Sequence, residues 1–188
     1  EALDIYRSLS ERDERFLPYL AITLNNLGAA LSKKGMFDYA IKYHKEALKI
    51  RRLLAERDER YLPDLAGTLN NLGLALSGKR MLDDAIRCHE EALKIIKPLA
   101  EGQPWHRPLL SASYIGLGYA LLKKGDEKEG IKNLCAALKI LLDPSTPRSP
   151  YTERRLSFCI ELLQPLREKL PDRCRKKLDS ITADMQKQ

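Results

Sequence analysis

Along most of the chain, hydrophobic residues recur at spacings of three and four, the period of one face of an α-helix. Leu20, Leu24, Leu27 and Leu31 make one such stripe, which opens near Pro18 and breaks at Lys33, Lys34 and Gly35. A second stripe runs through Phe37, Ala40, Ile41, His44, Ala47, Leu48 and Leu54. The two predict a pair of helices, A and B, that the short turn forces to be antiparallel. Asp38 stands in the first turn of helix B, where the positive end of the helix dipole stabilises a carboxylate.

The pair then returns. LNNLG at 24–28 recurs at 69–73 and in degraded form as YIGLG at 114–118. EALKI at 46–50 recurs at 91–95 and as AALKI at 136–140, with EALDI at 1–5 one period earlier. ERDERFLP at 11–18 becomes ERDERYLP at 56–63. The period is 45 residues, and 31 of the 45 positions in 11–55 are identical in 56–100, so these two units are recent duplicates. Units of this length bury their apolar faces only against their neighbours, which predicts an all-α superhelical solenoid of antiparallel helix pairs. The organisation expected is a trailing helix at 1–10, repeats at 11–55, 56–100 and 101–145, and capping helices at 146–188, together one solenoid domain. Residues 1–10 read as the second half of a repeat, so the chain is expected to be the C-terminal part of a longer protein.

Glycine and proline refine the pattern. Gly28 and Gly73 fall inside helix A, where Gly costs about 1 kcal/mol against Ala. Their recurrence predicts a close crossing of helix B, with Ala40 and Ala85 facing them. The PSTPRSP segment at 144–150 must stop the third helix B near Asp143. Beyond it, 151–168 and 171–186 read as two further helices, the first with an apolar face of Leu156, Cys159, Ile160 and Leu163.

Composition removes several function classes. No apolar run approaches the roughly 18 residues of a membrane span. The net charge of +7 is divided, with +4 in residues 11–55 and +4 in 146–188, and aromatics are only 6% of the chain. That is not the aromatic-studded basic stripe of a nucleic-acid binder, and Arg173, Arg175, Lys176 and Lys177 read as a solvated helix face. Cys88, Cys135, Cys159 and Cys174 contain no CxxC pair and are read as reduced thiols in a cytoplasmic setting. His44 and His89 are copies of each other and read as packing residues. Neither a nucleophile with its base nor a phosphate loop nor a metal-ligand cluster stands out, so no enzyme activity and no cofactor is expected.

Within each unit the order Leu27, Gly28, Leu31, Gly35, Phe37, Ala40, Ile41, Ala47 and Leu48 resembles the tetratricopeptide repeat, a helix-turn-helix unit of 34 residues. It recurs as Leu72, Gly73, Leu76, Leu82, Ala85, Ile86, Ala92 and Leu93, and as Leu117, Gly118, Leu121, Gly125, Ile131, Ala137 and Leu138. The longer period, and Arg52, Lys97 and Leu142 where the family often carries Pro, imply longer helices. Such repeats look like those of kinesin light chain and of the sensor arrays of signalling ATPases.

The resemblance implies a concave groove lined by helix A, holding a protein or peptide partner. Its residues here are Ile22, Asn25, Asn26, Ala29 and Lys33, then Asn70, Asn71, Leu74 and Ser77, then Ala112, Ile115, Tyr119 and Lys123. Asparagine suits a groove because its amide both donates and accepts toward an extended backbone. Asn26 and Asn71, expected to stack across the repeats, are the foremost pair. The competing reading is that these amides satisfy neighbouring backbone or each other. Ala29, Leu74, Tyr119 and Gly116 argue against a carboxylate clamp. The function implied is a non-catalytic binding scaffold; the alternatives are a self-association module, or a regulatory array of an attached ATPase or protease.

Overall fold

A computed structural model of the chain describes residues 1–185, and among these every regular element is helical. By packing, the chain divides into two compact units, Glu1–Ile96 and Lys97 onward, which are taken in turn.

In the first unit α1 (Ala2–Arg12) precedes α2 (Leu17–Lys33), α3 (Phe37–Arg57), α4 (Leu62–Gly78) and the start of α5 (Leu82–Gly102). Helices α2 and α4 are the A helices of the sequence pattern, and α3 and α5 the B helices. The ERDER runs act as starters. Asp13 and Asp58 each accept a hydrogen bond from the backbone N–H two residues on, at Arg15 and Arg60, and so cap a single 3₁₀ turn that feeds the following A helix. The Arg15 and Arg60 guanidinium groups hold these two carboxyls below the usual carboxylate range. An exposed pair, Arg57 to Glu14, links the two runs at 2.6 Å and is worth little by itself.

Each turn from A to B helix needs one residue in the left-handed region. Gly35 supplies it at φ 74°; at the equivalent place in the next copy Arg80 adopts φ 64°. Leu20, Leu24 and Ala47 form a buried cluster, against which Leu3, Tyr6, Tyr43 and Ile50 pack partly covered.

The close crossing inferred from Gly28 and Gly73 is present. A Cβ on Gly28 would come within 2.7 Å of the His44 ring, and one on Gly73 within 2.6 Å of the His89 ring. In each of these copies the histidine ring lies nearest the glycine. Both rings are fully enclosed, and burial lowers each pKa from 6.5 to about 4.

The second unit holds α6 (Arg107–Lys124), α7 (Glu127–Leu141), α8 (Pro150–Leu163) and α9 (Asp172–Met185). Its core joins Leu134, Leu138 and Leu141 of α7 to Cys159, Ile160 and Leu163 of α8 and to Leu170, Cys174 and Leu178. Helices α8 and α9 thus cover the apolar face of α7. Ser149 and Thr152 form a reciprocal capping box that starts α8. The helix expected over 151–168 is α-helical only to Leu163 and continues as 3₁₀ turns from Gln164 to Lys169, because Pro165 has no N–H to give the α ladder. The last position of the helix expected over 171–186, and the chain end to 188, lie outside the described residues.

One expectation is overturned. Cys135 on α7 and Cys174 on α9 form a disulfide across a separation of 39 residues, so these two are not reduced thiols. Packing of α9 on α7 brings them together, and no sequence spacing announces it. Cys88 and Cys159 are free thiols, with pKa values pushed up by burial to about 11 and about 12.

Candidate partner-binding surface

The A-helix residues sort into columns one period apart, and the columns face different ways. The first contains Asn25, Asn70 and Ile115. Asn70 is only 5% exposed, and its Oδ1 accepts from His89 Nδ1 at 3.0 Å. In the following copy the same two places hold Ile115 and Leu134, both buried in the core of the second unit. A hydrogen-bonded polar pair is thus exchanged for an apolar pair, as it must be where neither member meets water. Asn70 and Ile115 therefore point into the protein, not onto a groove. Asn25, half-buried, accepts from Asn71 Nδ2 at 3.2 Å, while neither ring nitrogen of His44 has a hydrogen-bond partner.

The next column begins with Asn26 and Asn71. Asn26 is exposed on α2, and Asn71 is half-buried on α4. The amide meeting Asn71 across the two helices is that of Asn25, so the expected stacking of Asn26 with Asn71 gives way to an Asn25–Asn71 bond. Asn25, Asn70 and Asn71 are each hydrogen-bonded to a neighbouring side chain, whereas Asn26 is exposed. Gly116, in the third copy, is buried.

Around Asn26 the first unit leaves two large apolar side chains in water, Ile22 at 44% and Leu74 at 48% exposure. Ile22, Asn26, Ala29 and Lys33 follow one another at spacings of four, three and four, a single stripe of α2. Ala29 is half-buried within it and Lys33 is exposed at its end. Ser77 is buried. The second unit carries its own patch. The Tyr119 ring lies 6.1 Å from that of Phe158 on α8, tilted by 49°, and Lys123 Nζ stands 5.5 Å from the centre of the Tyr119 ring. Phe158 is 40% exposed, and Ala112 is half-buried. The α8 contribution was not foreseen; the apolar stripe read from Leu156 to Leu163 excludes Phe158, and only the packing of α8 against α6 places it beside Tyr119.

Nothing in either patch pairs a nucleophile with a base. The buried histidines are held neutral by burial and lie under the surface. Among the described residues no helix is long and apolar enough to cross a membrane.

Comparison with known proteins agrees with this architecture. Sequence models of the tetratricopeptide repeat match residues 21–52, 65–97 and 111–140. No curated protein sequence matches the chain. Among solved structures, that of BtubC (BKLC) from P. vanneervenii superposes with a TM-score of 0.60 at 18% identity, covering 99% of this chain and 82% of that one, which is a likeness of fold.

Proposed function

Since the chain belongs to the tetratricopeptide repeat family, whose repeats build protein-interaction scaffolds, we propose that it is the non-catalytic peptide-binding part of a larger cytoplasmic protein. An extended peptide lies along α2 and α4 of the first unit. The observation that carries this reading is the stripe around Asn26. An uncommitted amide stands there on the helix that carries the solvent-exposed aliphatic side chain Ile22, and a second, Leu74, is exposed on α4. Ile22 and Leu74 offer anchoring for apolar side chains, Asn26 offers a donor and an acceptor to a peptide backbone, and Lys33 offers charge at the end of the stripe. The Tyr119–Phe158 pair with Lys123 is a second patch suited to the same kind of ligand.

Selection of peptides from a random display library, followed by titration of the best binder, tests the proposal. The double substitution Asn26→Ala with Leu74→Ala should weaken binding about tenfold or more, as loss of central contacts does. Both side chains are exposed, so the melting temperature should hardly move. Unchanged affinity in the double variant would remove α2 and α4 as the binding surface.

A further inference from the structure

The disulfide stands at a distinctive place. Cys135 lines two adjoining cavities between α7 and the segment leading into α9, of about 620 and 180 Å3, which also share Pro171. The larger has the volume of a small-molecule site. It opens on Cys135 and not on Cys174, which borders only the smaller one. Cys135 is half-buried, whereas Cys174 is buried.

The walls are mostly apolar in surface, and the charged residues among them are predominantly basic. Lys128, Lys132 and Lys169 line the larger cavity with Glu127 and Glu129, and Lys139, Arg173 and Lys177 line the smaller one with no acid. Lys169 is paired with Glu127 and Lys132 with Glu129, so the acids are already matched and Lys128, Lys139, Arg173 and Lys177 leave an excess of positive charge around the cavities. A disulfide that borders a recess surrounded by excess positive charge is placed to meet a small anion with an apolar body.

We propose that the Cys135–Cys174 bond is an exchangeable latch between α7 and α9, opened by a small carboxylate-bearing thiol that enters this recess and is taken up as a mixed disulfide on Cys135. The thiolate attacks Cys135 Sγ; a new sulfur–sulfur bond forms there and the Cys174 sulfur leaves as a thiolate, which takes a proton from water. A second thiol then attacks the mixed disulfide, releasing Cys135 as a thiol and the two small thiols as their own disulfide. Two electrons pass to the protein, and the reverse sequence closes the latch. This rests on the proposed cytoplasmic setting, in which a disulfide is characteristically of the exchanging kind and not a permanent staple. The other cysteine of the unit does not compete, because Cys159 is fully enclosed and its thiol donates to the Leu134 carbonyl at 3.4 Å.

Opening the latch loosens α9. What then holds the helix is Leu178, enclosed in the core, and the paired hydrogen bonds from Arg167 to Asp179 at 2.7 and 2.8 Å.

The oxidised chain is mixed with glutathione, an anionic probe, or cysteamine, a cationic one, at equal thiolate concentration. Glutathione should open the bond on the order of ten times faster. Peptide mass mapping should place its adduct on Cys135, and the amides of 172–185 should lose hydrogen-exchange protection on opening. In Cys174→Ser, oxidised glutathione should leave a stable adduct at Cys135. Replacing Lys128 and Lys132 by Ser should narrow the preference between the probes while helical content is retained. The proposal is overturned if the bond does not form when wild-type chain is equilibrated with oxidised glutathione. Equal rates for the two probes, an adduct on Cys174, or unchanged protection of α9 would each overturn it as well.

Discussion

Gly67 and Gly73 lie less than two turns apart in α4, yet replacement by Ala should act in opposite directions. At Gly67 a Cβ would meet nothing within 4 Å. There the substitution only relieves the helix cost of glycine and should stabilise by about 0.5–1 kcal/mol. At Gly73 the new methyl would lie 2.6 Å from His89 Nε2 and 2.8 Å from Cε1. The ring cannot swing aside freely, since it is fully enclosed and its Nδ1 is held by Asn70. Overpacking of this kind costs about 1–3 kcal/mol, and displacing the ring would add about 1 kcal/mol for the broken hydrogen bond. Against a propensity gain of about 1 kcal/mol, Gly73→Ala should destabilise by roughly 2 kcal/mol. For a chain of this size that is a fall of about 4–8 °C in the melting midpoint. Urea unfolding followed by circular dichroism gives both signs in one experiment. In a His89→Ala background the same Gly73→Ala change should become favourable, because the methyl enters vacated space; the double-mutant cycle isolates the clash. A Gly73→Ala protein as stable as Gly67→Ala would refute the account of why LNNLG carries its glycine.

Three further outcomes follow from the same structure. The folded-state pKa of His44 and His89, about 4, lies below the free value of 6.5. The fold therefore binds fewer protons than the unfolded chain, and stability should be full above about pH 6.5, fall as the pH drops toward 4 and then level off. The loss is at most about 3 kcal/mol per ring, and changing both to Leu, as at Leu134, should flatten the acid limb of a pH series of urea midpoints. Arg51 is 4% exposed and pairs with Asp64 at 2.8 Å, where the next copy has the buried Ile96; Arg51→Ile should be neutral or stabilising, whereas Asp64→Ala should destabilise by about 1–3 kcal/mol. Arg80→Gly restores the residue that the left-handed turn position favours and should raise stability by about 1 kcal/mol in thermal melts.

Much of the fold was legible because helical periodicity and repetition report on the same thing. The stripes of α2 and α3 and their echoes located the helix pairs, and PSTPRSP placed the end of α7 to within two residues. The packing role of the histidines was also readable, since an identical ring at His44 and His89 follows the core stripe. The candidate site was less legible. Asn25 and Asn26 are adjacent, as are Asn70 and Asn71, and one residue step turns a helical side chain by about 100°, enough to send Asn70 toward His89 of helix B and Asn26 to the surface. Sequence alone offered no ground for separating them.

The amino-acid sequence by itself determined that this protein is a tandem array of antiparallel helix pairs, since a period of 3.6 nested in a period of 45 leaves each unit no partner for its apolar face except its neighbours. Only the tertiary structure decided which side chains meet across those faces: His89 against Gly73, Asn70 beneath His89, Asn71 against Asn25, and Cys135 bonded to Cys174. Periodicity fixes the direction in which a side chain leaves its own helix. What it touches depends on how a second helix, often about 40 residues away in the chain, is rotated and placed against the first, and that is settled by the packing of the whole core.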